Sequence, residues 1–252
     1  MAQASNILIL GASKGIGLAL VKYTLAMHPS ARIYATVRPA SDATQLRTLA
    51  GQSGKRVVIL EVDTTDTASV EKLKETISKS TSTLDQVIYN AGVLKGFAPI
   101  SRAGIDHFKE NMEVNVYGAL IAAVAFYPFV QRSANKNKVF VLVGSSFGSV
   151  NTAAENFEMH SQSFGIPGTN PTALYDISKT AEERLLLELD MELRPQGVPM
   201  LLVHPGLPRT DLNPFGTITV EESAEGVVRV LREYNIDRKE RFLDYQGKEV
   251  PL

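Results

Sequence analysis

With 252 residues, 44% of them hydrophobic and 21% charged, the chain holds enough apolar material for one globular domain with a sizeable core, and it is neither disordered nor fibrous in composition. A net charge of −1 gives no basic stripe, so no nucleic-acid partner is expected. Without cysteine there is no disulfide, thiolate metal ligand or cysteine nucleophile, and the four histidines (28, 107, 160, 204) lack ligand spacing, so no metal site is expected either. No apolar run reads as long enough to span a bilayer, and no basic segment and long apolar region precede the first strand. The expectation is a cytoplasmic protein without a membrane partner.

In chain order, residues 6–10 (Asn-Ile-Leu-Ile-Leu) form an almost wholly apolar run, the pattern of a strand buried on both faces. Gly11-Ala12-Ser13-Lys14-Gly15-Ile16-Gly17 follows at once, and 18–27 has helical composition until His28-Pro29 ends it. In that setting Gly11 permits a tight turn, Gly15 lets backbone approach a pyrophosphate, and Gly17 packs helix on strand, with the amide-rich helix start facing the anion. Ser13, Lys14 and Ile16 complete the candidate dinucleotide loop. Residues 32–37 are the next strand, at whose end an NAD enzyme would place a carboxylate to read the ribose 2′-hydroxyl. Here Val37 and Arg38 stand there, and Arg38 with Lys14 offers charge to a phosphate, a pattern favouring NADP over NAD. The plainer reading of both cations is solvated surface charge.

Residues 41–50 read as a helix and 56–62 as a strand ending at Asp63, a carboxylate that either contacts an adenine amine or caps a turn. Helix 67–80 leads to strand 84–89, which ends in Asn90-Ala91-Gly92, small residues that leave room for a cofactor at a sheet edge. Such alternation predicts an α/β protein, a single domain over 1–252 with a doubly wound parallel sheet of the Rossmann kind, helices on both faces and a ligand crevice at the strands' carboxyl ends. Strand 138–143 runs into Gly144-Ser145-Ser146-Phe147-Gly148-Ser149, and a helix through 180–194 is stopped by Pro195-Gln196-Gly197. Tyr175 and Lys179 then lie one turn apart. A phenol of pKa about 10 needs help to act near neutrality, and an ammonium about 4 Å away contributes about 4 kcal/mol at an effective dielectric of about 20. The same spacing also arises as packing plus a solvated charge. Strand 198–203, the turn His204-Pro205-Gly206, helix 221–234 and strand 241–244 complete the chain.

Gly11-x3-Gly15-x-Gly17, Asn90-Ala91-Gly92 and Tyr175-x3-Lys179, in that order, resemble the short-chain dehydrogenase/reductase family over nearly the whole length, and the ending 242–251 resembles its carbonyl-reductase branch of C-factor and Sniffer-type proteins. The resemblance implies NADP(H) as cofactor and a ketone or aldehyde as small-molecule substrate. In it Tyr175 acts as proton donor, Lys179 favours the tyrosinate and bonds the nicotinamide ribose, and Asn115 on the long helix after the fourth strand holds a relay water. It also implies the Pro205-Gly206 turn beside the nicotinamide, Thr210 on its carboxamide, and a catalytic serine after the fifth strand. Counting back from Gly148 selects Ser145, whereas the Ser-Ser pair itself selects Ser146; Ser145 is preferred because the glycine fixes the turn. A rival reading is a catalytically silent NADP-binding sensor or scaffold. Segment 150–172, with Phe157, Met159, His160, Phe164, Pro167 and Gly168, is longer than the family's usual connection, and is either a substrate-side wall or a surface excursion. Phe97 and Phe147 join those aromatics near the expected pocket or serve as core. Helix pairing across a homodimer is common in the family, a monomer is the other option, and Leu185, Leu186, Leu187 and Leu189 face either a partner or the core.

Overall fold

The structure, a computed structural model, describes residues 5–252. Its seven strands are β1 (Asn6–Leu10), β2 (Arg32–Val37), β3 (Val57–Glu61), β4 (Gln86–Tyr89), β5 (Val139–Val143), β6 (Met200–His204) and β7 (Phe242–Asp244). They form one parallel sheet in the order β3-β2-β1-β4-β5-β6-β7. Because successive β side chains alternate faces, Ile7 and Ile9 enter one core while Leu8 and Leu10 enter the other. Helices α1 (Gly15–Met27), α2 (Thr44–Gln52) and α8 (Val220–Glu233) cover the first face; α3 (Thr67–Ser78), α5 (Gly118–Arg132) and α7 (Ala173–Leu193) cover the second. The strand order reverses between β1 and β4, and ligands bind doubly wound sheets in the crevice outside such a switch point.

Boundaries moved where side chains compete with the backbone. Helix α2 begins at Thr44 rather than 41, because the Asp42 carboxylate accepts the Thr44 N–H at 2.9 Å and holds the chain in a turn. The long helix after β4 is α4 (Ile105–Met112), a π-helical turn (Glu113–Tyr117) and then α5. Tyr89, from β4, donates its hydroxyl to Val114 O at 2.6 Å and is seated where a Cβ on Gly118 would come within 2.4 Å of it, an insertion of the kind that widens a helical turn.

That continuous body, Ile105–Arg132, corrects one sequence expectation. An 18-residue window of it has mean hydropathy 1.5 and is long and apolar enough to cross a bilayer. Half of the window is buried in the fold, where Ala119, Ala122, Ala123, Phe126, Phe129 and Val130 pack under the sheet. Segment 150–172 contains a helix, α6 (Ala153–Ser163). Of the four leucines left open, Leu186 is core, and Leu185 and Leu189 pack partly buried against it.

Candidate active site

The glycine loop is fixed by close approach. Gly11 has φ +83°, and a Cβ there would sit 2.9 Å from the backbone of Ala91. A Cβ on Gly17 would lie 2.0 Å from Gly11 O and 2.6 Å from Asn90 Nδ2, the amide that donates to Gly11 O at 2.8 Å. Asn90 therefore locks the β4 end onto the loop after β1, and only glycine fits at 11 and 17. Gly15 is different: at φ +55°, a Cβ there would meet nothing nearer than Thr210 Cγ2 at 3.9 Å, on the loop after β6, so the space beside it is open. Helix α1 starts there with no side-chain cap and no acidic residue in its first turn, leaving its free N–H groups to an anion, beside Ser13 and Ile16.

Arg38 is exposed at the end of β2, which carries no carboxylate of its own; Asp63, past the end of the neighbouring β3, feels its charge. Lys14 is not free: it pairs with Asp211 at 2.6 Å, both largely exposed. Asp63 is a turn residue, its Oδ1 accepting the Thr65 hydroxyl at 2.7 Å and N–H at 3.0 Å, bonds that hold its carboxyl below the usual range. Pro205 O accepts the Ser223 hydroxyl at 2.6 Å, and Gly206, at φ +75°, has its Cβ direction closed by Ile218 at 2.7 Å, so the turn is pinned beside the loop carrying Thr210. A crowded glycine cradle, open helix N–H groups and the exposed Arg38 fit a phosphorylated dinucleotide.

Beyond the loop, α7 carries Tyr175 and Lys179, with Nζ 5.8 Å from the phenol ring centroid. The two serines after β5 face opposite ways. Ser145 is buried, its Oγ accepts the Phe147 N–H at 3.3 Å, and its hydroxyl stands near enough to the Tyr175 phenol to favour the phenolate. Ser146 instead donates its N–H to His204 Nδ1 at 3.2 Å, with its Oγ 3.3 Å from Nε2. Burial takes His204 down to about 4, so it is neutral at pH 7, with Nδ1 the acceptor and Nε2 carrying the hydrogen.

Asn115 lies in the π-helical turn, buried, donating to Val93 O at 3.0 Å and Ser178 Oγ at 2.9 Å and accepting Val93 N–H at 2.9 Å. Both amide hydrogens are engaged, so any relay through this residue passes through its main chain; the side chain clamps the segment after Gly92. The sequence expectation for Tyr175 also needs correction. Its phenol is raised above the ordinary value, because burial outweighs the pull of Lys179, and Glu182 and Asp176 push the same way as burial while Ser145 opposes them. Lys179 is itself paired with Glu182 at 2.7 Å.

Segment 150–172 is tied to the start of α7. His160, 2% exposed, has Nδ1 3.0 Å from Asn170 Oδ1, 3.1 Å from Thr172 Oγ1 and 3.5 Å from Asp176 Oδ2. Its ring meets Phe147 at 4.2 Å, and Phe164 stands edge-on to Phe97 at 4.9 Å and to Phe215 at 5.5 Å. Glu182, Glu183, Asp211 and Phe215 were missed from sequence. The one available signal was a Glu-Glu pair set into a leucine-rich helix three and four residues after Lys179.

A family model described as short chain dehydrogenase matches residues 5–157, more than half of the chain. An uncharacterized oxidoreductase of Schizosaccharomyces pombe is 26% identical over 262 residues, covering 97% of this chain and 96% of its own length. The NADPH-bound carbonyl reductase from chicken fatty liver superposes with a TM-score of 0.85 at 25% identity, over 99% of this chain and 100% of that one. The carbonyl reductase Sniffer of D. melanogaster gives 0.86 at 23% identity over the same shares, a likeness of fold. Together with the crowded glycine loop at the β1/β4 switch point, the match shows that this protein belongs to the short-chain dehydrogenase family of oxidoreductases.

Proposed function

We propose that the protein is an NADPH-dependent reductase of ketone or aldehyde carbonyls. One observation carries the reading: the Tyr175 phenol stands beside Ser145, past the carboxyl end of β5, with Lys179 one turn along α7 and its Nζ 5.8 Å from the phenol ring. NADPH, when bound along Gly11 to Gly17, supplies the hydride. Tyr175 gives its proton to the carbonyl oxygen and Ser145 holds that oxygen by a second hydrogen bond. Lys179 keeps one N–H beyond those to Val143 O and Glu182, and that donor is the one left for the ribose and the phenol. The edge-packed Phe97, Phe164 and Phe215 form the apolar side of the substrate cleft in this reading, with α6 as its wall.

Loss of NADPH absorbance against a panel of ketones, quinones and diketones tests the reading; binding without turnover on every member favours the sensor alternative. Ser145→Ala is expected to lower kcat by about 100-fold, the scale of one lost oxyanion donor, with Ser146→Ala near wild type. The reverse ranking in steady-state rates would move the role to Ser146. If Arg38 reads the 2′-phosphate, Arg38→Ala raises KM for NADPH by about tenfold or more and leaves KM for NADH unchanged. Equal effects on both would return Arg38 to the solvated surface.

A further inference from the structure

Lys179 is not a lone ammonium. Its Nζ lies 2.7 Å from Glu182 Oε2, the side chains 4% and 0% exposed, and donates again to Val143 O at 3.0 Å. Two of its three donors thus point to groups other than the phenol, and its charge is opposed by a carboxylate that water does not screen. Glu182 Oε1 has no partner. Glu183 is buried too, its Oε1 unpartnered and pressed against Gly148, where a Cβ would come within 2.4 Å. Tyr175 therefore meets a pair, not a cation.

The other titratable groups around the dyad add no second cation. On α7 itself stands Asp176, with His160 of α6 3.5 Å from it. From β4 comes Tyr89, whose phenol feels Glu182 and, past the end of β3, Asp63. His204 of β6 faces Ser146. None of these is a lysine or arginine.

We propose that Glu182 is a positioning residue that holds Lys179 by one of its donors and offsets part of its charge, so that the site keeps Tyr175 as a protonated donor through neutral and mildly alkaline pH, the form that carbonyl reduction uses. The inference rests on the roles of Tyr175 and Lys179 proposed above. In reduction the carbonyl carbon takes the hydride as NADPH is oxidised, the Tyr175 O–H bond breaks, and its proton forms the alcohol O–H. Alcohol oxidation reverses each transfer and needs the phenolate. A phenol held protonated keeps reduction flat until it ionises, and oxidation rises only from there. Removing the negative Glu182 favours the phenolate and moves both limbs to lower pH.

Tyrosinate absorbance followed through a pH titration, taken as wild type minus Tyr175→Phe, isolates this phenol in a chain of eight tyrosines and no tryptophan. It reads the electrostatics whether or not any ketone is turned over. The wild-type midpoint is expected above about 10, the free phenol value. The same difference in a Glu182→Gln background is expected about one pH unit or more lower, with the alkaline limbs of both reaction directions moving alongside, and Glu182→Asp, which keeps the charge, returns most of the shift. A Glu182→Gln protein with lowered Tm and an unmoved midpoint overturns the proposal. So does a wild-type midpoint below about 8, a result that needs no Glu182 variant to fold. Expected midpoints without NADPH turnover on any carbonyl would overturn the reductase reading while upholding Glu182 as the group that sets the phenol.

Discussion

Tyr175→Phe is expected to lower kcat for carbonyl reduction by about 10²- to 10⁴-fold, the range that a positioned general acid supplies, while NADPH binds as in wild type. The substitution deletes one oxygen and keeps the ring, and the residue's N–H, bonded to Thr172 O at 2.8 Å, continues to start α7. Gly11, Gly15, Gly17 and Arg38, which hold the cofactor in this reading, come from β1, α1 and β2, on the other side of the switch point. Ser145 remains to polarise the carbonyl, so the variant separates proton donation from substrate holding: kcat falls and KM changes little. Steady-state rates with NADPH titrated by its fluorescence on the protein check both halves. Undiminished turnover would remove Tyr175 from the chemistry, and lost NADPH affinity would make the hydroxyl a binding group instead.

What the sequence made legible was whatever local geometry compels. The apolar runs at 7–10 and 139–143 are buried on both faces because helices cover the sheet on each side, and a pattern without alternation says so directly. Gly11 and Gly17 were readable because no side chain fits where Ala91 and Asn90 press on them. The Tyr175 to Lys179 spacing was readable because a helix puts i and i+4 on one face. Charge partnerships were not. Lys14 and Asp211 stand 197 residues apart in sequence, and no local pattern couples them. Glu182 and Glu183 look like a solvated stripe on a charged helix; they are buried because the turn after β5 lies on α7, with Gly148 against Glu183. The serine register stayed open because both hydroxyls sit in one turn, and the choice depends on which of them meets α7 and which meets β6. Helix α6 escaped because its placement is polar: only His160 and Ser161 of it are buried, and their partners lie in the following loop and α7.

The largest loss of stability is expected far from the chemistry, at Asp190. This carboxylate, 2% exposed, accepts both oxygens' worth of bonds from Arg194 Nε at 2.9 Å, takes the Met200 N–H at 2.9 Å and pairs with Arg241 just before β7. Arg194 reaches on to Ile236 O and Arg238 O, each at 3.1 Å. One anion thus ties the end of α7 to the start of β6 and to the approach of the edge strand β7. Asp190→Ala leaves two guanidinium groups and a buried N–H without it, a cost of about 3–5 kcal/mol. For a chain of this size that lowers Tm by about 10 °C, measured by thermal unfolding followed by circular dichroism. Eleven residues of helix separate Asp190 from Lys179, about 16 Å, so kcat at a temperature where the variant is folded stays near wild type. A melt within about 2 °C of wild type would mean that water satisfies the arginines as well as the carboxylate does, and that β7 is held by its backbone ladder to β6 instead.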